Sequence, residues 1–456
     1  LSLITPVCLA VLLISMFSSG GAARAADVDL RFTVIGQGYQ TRTAAGDFLD
    51  RRRLVEWVDL RAGRLLGIQD LSFETSFRLD TELGFDDDLD AMGNDLAELM
   101  LAKVSWRRIG GRLDLTVGRQ LLLDELDFLL FDGLRTDVQM PAGLSFRLIA
   151  GFEVRNHSLL GGQELELDGV EGDTLPAPVV GVGLNFDSSW LQAELAYRRM
   201  LLWTQDWPLL EERLGASGSV LLWQRRIGLD GGAVFDLLED QWDRLRASGW
   251  FRLPAFFDGI RIEAGYLRSR PHFSLDSIFN FFSPAPFNEY RAGLRWDPRF
   301  RGMPLMSYRL GYTRRGYLEM PADDSGADWT GGGVNGIDFD GRLWAGRRLV
   351  ISMAGAYEDG SVGKRWLLAP RVMIEIAERR LLLDGRAVIM SFDDSLQENQ
   401  YALTLGCSAA VTWRFARNQA IVILGQLNGN RINPLRFRML AVLDLSFHFN
   451  PGSIFH

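Results

Sequence analysis

Beyond residue 20 the chain lacks any apolar run approaching the roughly 20 residues that a membrane-spanning helix needs. Yet 47% of its residues are hydrophobic and its mean hydropathy is close to zero. Helical insertion is therefore excluded, and the greasy residues are scattered one by one, as a closed barrel in lipid requires. Cysteine is nearly absent: Cys8 lies in an N-terminal apolar segment, and Cys407 is the one other. No disulfide forms within one mature subunit, and no cysteine metal cluster can be built. Histidine is limited to His157, His272, His448 and His456, and there is no CxxCH haem site, phosphate loop or zinc spacing. No metal, cofactor or nucleic-acid partner is expected. Lysine is the last scarcity: only Lys103 and Lys364 occur among 49 basic residues, leaving 49 − 2 = 47 arginines in a chain of net charge −9. A GC-rich genome would produce that bias, and so would a path lined with guanidinium forks for carboxylates or phosphates. Position along the strands decides between them.

An address is written at the start. Residues 7 to 17 form an apolar core, followed by small residues and Ala23-Arg24-Ala25, an A-x-A cleavage site. Residues 1–25 are expected to be a signal peptide and residues 26–456 a barrel in the outer membrane of a Gram-negative cell, with outer-membrane lipid around it.

The clearest pattern lies in the stretch Phe437 to Phe449. Phe437, Met439, Ala441, Leu443, Leu445, Phe447 and Phe449 are all apolar and alternate with Arg438, Leu440, Val442, Asp444, Ser446 and His448. Twelve steps of about 3.3 Å, tilted by about 45°, span roughly 28 Å, close to the apolar band of about 25 Å between aromatic girdles. Tyr401 to Trp413 repeats the device, with Leu403, Leu405, Cys407, Ala409 and Val411 on one face. Similar alternation marks 28–37, 54–65, 71–85, 100–107, 111–120, 144–155, 179–187, 190–200, 218–228, 243–253, 259–269, 287–297, 306–316, 335–345, 347–357, 366–377, 381–392 and 419–428. The expected fold is all-β, a transmembrane antiparallel β-barrel of about 18 strands with both termini in the periplasm. The acidic run Asp86 to Asp90 lacks the spacing of a calcium loop and is expected to be a solvated surface loop.

Val117-Gly118-Arg119-Gln120, then Phe131-Asp132-Gly133-Leu134-Arg135 and a further alternating strand, resemble the alginate-export family of outer-membrane barrels over residues 70 to 155. The resemblance implies a monomeric barrel that lets an anionic polysaccharide leave the cell, with a periplasmic export-scaffold protein among its partners. It assigns no substrate-binding residue. By alternation alone, Arg119 falls on the lipid side of its strand, which predicts a place beyond the apolar band or after a bulge.

Sending the apolar phase of each strand to lipid sends the other phase inward, and that phase is rich in arginine. Arg112, Arg147, Arg261, Arg291, Arg295, Arg309, Arg342 and Arg371 are the candidate lumen and substrate-path residues. Cross-strand ion pairs account for most individual charges. On strands 259–269, 287–297 and 306–316, however, Arg261, Arg291, Arg295 and Arg309 share the inward face with only Glu263 and Glu289, and that surplus concentrates anions. The stretch Phe273 to Pro286 breaks the rhythm; its aromatic residues Phe273, Phe279, Phe281 and Phe282 would present an apolar patch to water, so the segment is expected to fold into the pore mouth. Met320 to Gly336, rich in Asp and Gly, reads as an outer loop. Asp444, Ser446 and His448 all point inward, but positions four apart on a strand are roughly 13 Å apart, too far for a base and its orienter. No catalytic residue is assigned and no enzyme is expected. The expected function is passive export of an anionic exopolysaccharide. The alternatives are a general or anion-selective small-solute porin, and a structural sheath for a periplasmic multihaem cytochrome.

Overall fold

A computed structural model describes residues 27–42, 48–82, 95–154, 177–203, 209–254, 259–270, 286–298, 304–318, 332–346, 348–361, 363–378, 380–394, 401–429 and 436–449. The N-terminal apolar segment and the stretch Phe273 to Phe282 lie outside these residues. The alternating stretches become β1 (Asp27–Arg42), β2 (Phe48–Gly63), β3 (Leu71–Glu82), β4 (Asp95–Ile109), β5 (Leu113–Asp124), β6 (Asp127–Gln139), β7 (Leu144–Glu153), β8 (Ala177–Asp187), β9 (Leu191–Leu201), β10 (Leu209–Leu222) and β11 (Ile227–Asp236). They continue as β12 (Gln241–Arg252), β13 (Ile260–Ser269), β14 (Phe287–Trp296), β15 (Leu305–Tyr317), β16 (Gly333–Ala345), β17 (Leu349–Gly360), β18 (Gly363–Ile376), β19 (Leu381–Asp394), β20 (Tyr401–Ala416), β21 (Gln419–Gly429) and β22 (Arg436–Phe449). Each strand pairs antiparallel with its neighbours in sequence, and β22 pairs with β1, from Val28 opposite Phe449 to Tyr39 opposite Arg438. The sheet is closed, with no free outer edge strand, the one sheet architecture that satisfies its backbone inside hydrocarbon.

The barrel has 22 strands, not about 18. Of the 20 alternating stretches, 218–228 straddles the turn at 223–226 and so covers both β10 and β11, and β6 falls outside all of them. That turn is Trp-Gln-Arg-Arg, with positive φ at Trp223, Gln224 and Arg225 and none of the glycine, proline or asparagine that usually marks a reversal.

An even strand number brings the start of β1 and the end of β22 to one rim. Connections at that rim include 110–112, 188–190 and 417–418, whereas the opposite rim carries 83–94, 154–176, 270–286 and 318–332. Short turns on the periplasmic side and long loops outside are the pattern of outer-membrane barrels. Trp106, Trp190, Trp223, Trp296 and Trp413 are exposed toward the terminal rim, and Phe152, Trp203, Tyr290, Tyr357 and Trp366 toward the other. These are the two aromatic girdles, with an apolar band between them. Leu403, Leu405, Val411, Phe437 and Met439 are 41–51% exposed on the outer surface, while Asp444 on the other phase of β22 accepts bonds from Arg31 at 3.0 and 2.8 Å inside. The protein is an outer-membrane β-barrel whose polar phase lines a lumen. Leu443 lies midway along β22 on the lipid phase, so Leu443→Arg is expected to destabilise the barrel by about 2–4 kcal/mol, checked by urea titration in liposomes.

Candidate functional site

One hairpin leaves the wall. Pairing of β4 with β5 ends at Ala102 opposite Arg119, although β4 continues alongside β3 as far as Asp95 opposite Thr81. The β6–β7 ladder ends one residue later, at Phe131 opposite Glu153, and beyond it β5 and β6 pair only with each other, up to Asp124 opposite Asp127, with Glu125-Leu126 closing the turn. The departure is made at glycine. Gly118 has φ +115°, and a Cβ there would overlap the Ala102 carbonyl oxygen.

The direction of departure follows from what the hairpin buries. Leu122, Leu129 and the fully buried Phe131 pack with Ile149, Ala177, Val179 and Met200, which stand on the inward phase of β7, β8 and β9. At the tip, Leu126 is 1% exposed and packs against Ala196 and Val234. The hairpin therefore lies inside the lumen, on a bed of apolar side chains that the wall turns inward beneath it.

Polar contacts fix the tip. Arg198 Nη2 donates to the Leu126 carbonyl at 2.8 Å, Arg244 Nη1 to Asp127 Oδ1 at 2.8 Å, and Arg246 Nη2 to Glu125 Oε2 at 2.8 Å. Arg244 and Arg246 belong to β12, so the hairpin rooted at β5–β6 is latched against a wall six strands further round. Charge-assisted bonds of this kind contribute about 1.5–3 kcal/mol each.

The two short motifs of the sequence are the halves of the hinge. Arg119 makes a two-pronged bond to Asp132 at 2.9 and 2.8 Å and donates to the Leu99 carbonyl at 2.8 Å, and Gln120 Nε2 donates to the Gly133 carbonyl at 3.2 Å. No bulge precedes Arg119 on β5, whose register with β6 is unbroken from Leu113 to Asp124; the nearest lies in β4, where the β3–β4 register shifts between Ser76 and Phe77.

The candidate arginines form a basic arc beyond the latch. Arg252, Arg261, Arg295 and Arg309 stand directly opposite one another across β12 to β15, a row of four guanidinium groups near the periplasmic end. Glu263 pairs with Arg261 and lies 3.7 Å from Arg309; Asp338 is also 3.7 Å from Arg309, and Asp297 is 3.1 Å from Arg295. Glu289, fully buried, bonds Arg291 and Arg315. Asp297, on the phase of Arg295, and Asp338, on the inward phase of β16, add two carboxylates to the arc beyond Glu263 and Glu289. Arg342 reaches Asp340 at 3.4 Å, Arg371 Nε reaches Asp384 at 2.8 Å, and Arg147 reaches Asp137 at 2.9 Å and Glu194 at 3.7 Å. Arg252 has no carboxylate partner among the described residues and lies 5.9 Å over the Trp250 ring, which Arg261 also covers at 5.6 Å. Arg112 is not on the lumen wall: it ends the turn at 110–112, where Gly110 and Gly111 take positive φ and close the hairpin below the last wall residue.

The arc from β5 to β11 has the opposite sign. Its inward phase carries Asp114, Asp124, Asp137, Glu194, Glu211, Asp230 and Asp236 against Arg135, Arg147, Arg198 and Arg213. From β12 to β15 the inward phase carries Arg244, Arg246, Arg252, Arg261, Arg291, Arg295, Arg309 and Arg315 against Glu263 and Glu289, with Asp243 at a bulge. The lumen thus has an acidic side, where the hairpin lies, and a basic side, and low-dielectric walls focus the field between them.

No family model matches the chain, and no curated protein matches it. Among solved structures it is similar to OccAB1 of Acinetobacter baumannii, at 9% identity and a TM-score of 0.46 over 94% of this chain and 100% of that one. It is also similar to OccK2 (OpdF) of Pseudomonas aeruginosa, at 9% identity and 0.47 over 93% and 98%, and to a BenF-like porin from Pseudomonas fluorescens Pf-5, at 9% and 0.47 over 93% and 99%. With no family model matching, the resemblance to the alginate-export family rests on its short motifs alone.

Proposed function

We propose that the protein is a passive outer-membrane channel for small anionic solutes. The observation that carries this reading is the segregation of charge around the lumen, with a row of arginines on β12–β15 facing a path that the inward hairpin narrows. A small anion keeps to the basic side throughout. A polymer of repeated carboxylates is less well served, since its charges would pass the carboxylates of the hairpin tip and the acidic arc. A sheath for a cytochrome would need a clear bore, and the hairpin occupies part of it. The conduit is passive: it biases which solutes enter and performs no chemistry on them.

At an effective dielectric near 20, two unit charges 8 Å apart interact by about 2 kcal/mol, enough to bias passage and too little to trap a solute. Reversal potentials in planar bilayers under a potassium chloride gradient test this. The parent is expected to prefer chloride, less so at high salt as screening grows, and Arg291→Glu with Arg295→Glu to shift the potential toward cation preference. Arg291→Gln with Arg295→Gln should move it part of the way. Cation preference in the parent would remove the basis of the reading.

A further inference from the structure

The hairpin has a second face. One phase of β5 and β6 is packed on the wall through Leu122, Leu129 and Phe131, so the other phase points toward the pore axis. Taken in cross-strand pairs from hinge to tip, it presents Arg119 with Asp132, Leu121 with Leu130, and Leu123 with Phe128. Leu130 is covered, but Leu121 is 38% exposed, Phe128 60% and Leu123 71%. Leu123 is thus among the most exposed large apolar side chains of the molecule, and these residues face the lumen rather than lipid.

On the outer surface such exposure is ordinary, because hydrocarbon covers it. Inside a water-filled lumen lined by charge it is costly, and a contiguous apolar patch in such a place marks a binding surface. Its surroundings indicate what it binds. Phe128 adjoins Asp127, which is held by Arg244, and from there the inward column of β12 descends through Arg244, Arg246, Ser248, Trp250 and Arg252 to the arginine row. Apolar platform, guanidinium, indole and guanidinium alternate along one track. A purely polar ion has no use for the platform or for the indole.

Resting on the reading of the lumen as an anion path, we infer that Leu121, Leu123 and Phe128 form a subsite for the apolar body of an amphipathic anion, whose charged end is taken by the arginines of β12. The substrate class is a small carboxylate or sulfonate carrying a compact ring or short hydrocarbon, in preference to an equally charged anion without one. If about 60 Å² of apolar surface leaves water on contact, at about 25 cal/mol per Å², the preference is about tenfold.

The test uses the full-length protein in planar bilayers, with methanesulfonate, cyclohexanesulfonate and benzenesulfonate as blockers of chloride current. All three carry one charge at any working pH and differ only in the apolar body. Half-blocking concentrations are expected to fall about tenfold from methanesulfonate to the two ring compounds. Leu123→Ser with Phe128→Ser should bring the three values together, with the chloride reversal potential and the single-channel conductance unchanged. Equal values for the three anions in the parent would overturn the subsite whatever the variant does, and so would a preference that survives in a variant of parental conductance. Failure of chloride selectivity in the parent would instead count against the anion channel itself.

Discussion

Replacing residues 121–129 with a two-glycine link is expected to raise single-channel conductance by about half or more, the largest change in conductance of any alteration to the lumen. The hairpin and its apolar bed occupy the inner side of β5 to β12, eight of the 22 strands, or about a third of the wall of a closed barrel. The barrel itself should survive, since the β4–β5 and β6–β7 ladders end below the deleted segment, at Arg119 and Phe131. The deletion also removes Glu125 and Asp127, which frees Arg244 and leaves Arg246 with Asp230 alone at 3.3 Å, so anion preference should strengthen as conductance rises. Conductance that stays at the parental value would mean that solutes do not pass beside the hairpin.

The second large effect concerns the bed beneath. Phe131 is fully buried between hairpin and wall, and Phe131→Ala is expected to cost about 3–5 kcal/mol through lost transfer energy and an unfilled cavity. Two consequences are separable. A lower denaturation midpoint in urea measures the lost packing. Frequent steps in open-channel current would show the hairpin rocking on Arg198, Arg244 and Arg246, the latches that remain. Leu134→Ala, opposite Val117 just below the hinge on the exposed outer face, serves as the comparison and should do neither. If both substitutions lower the midpoint equally, the inward cluster is not a core.

Much of the wall was legible because lipid and lumen impose opposite demands on alternate residues. The phase of β20 and β22 can be read directly from Leu403 to Val411 and from Phe437 to Phe449. Reading failed where that contrast weakens. Strands β10 and β11 carry Gly215, Gly218, Gly228, Gly231 and Gly232, so neither face is marked, and their tight turn uses long side chains. The hairpin was missed for another reason. Leu121-Leu122-Leu123 and Phe128-Leu129-Leu130-Phe131 are apolar on both phases, which breaks the rule for a wall strand and is itself the available signal: a strand pair buried on one face and apolar on the other is not standing between lipid and water. Of the two further partners of the arginine row, only the pairing of Asp338 with Arg309 needed the register. Asp297 closes the stretch 287–297 on the phase of Arg295, so alternation alone places it beside that arginine, whereas Asp338 reaches Arg309 from a strand whose alignment only the fold supplies.

The seam between β1 and β22 has a consequence for how the molecule is made. Arg31 and Asp444 meet across 413 residues of chain, and Phe32 meets Phe447 beside them. Until the final 14-residue strand is in place, both margins of a curved, greasy sheet stay open, each a ready template for any other extended chain. Neither margin can be sealed early, because the partner of the first strand is the last to be synthesised. The nascent wall therefore has to be kept from pairing elsewhere for the whole time of its synthesis, and a chain cut short before β22 would lack its seal however well the preceding strands had formed.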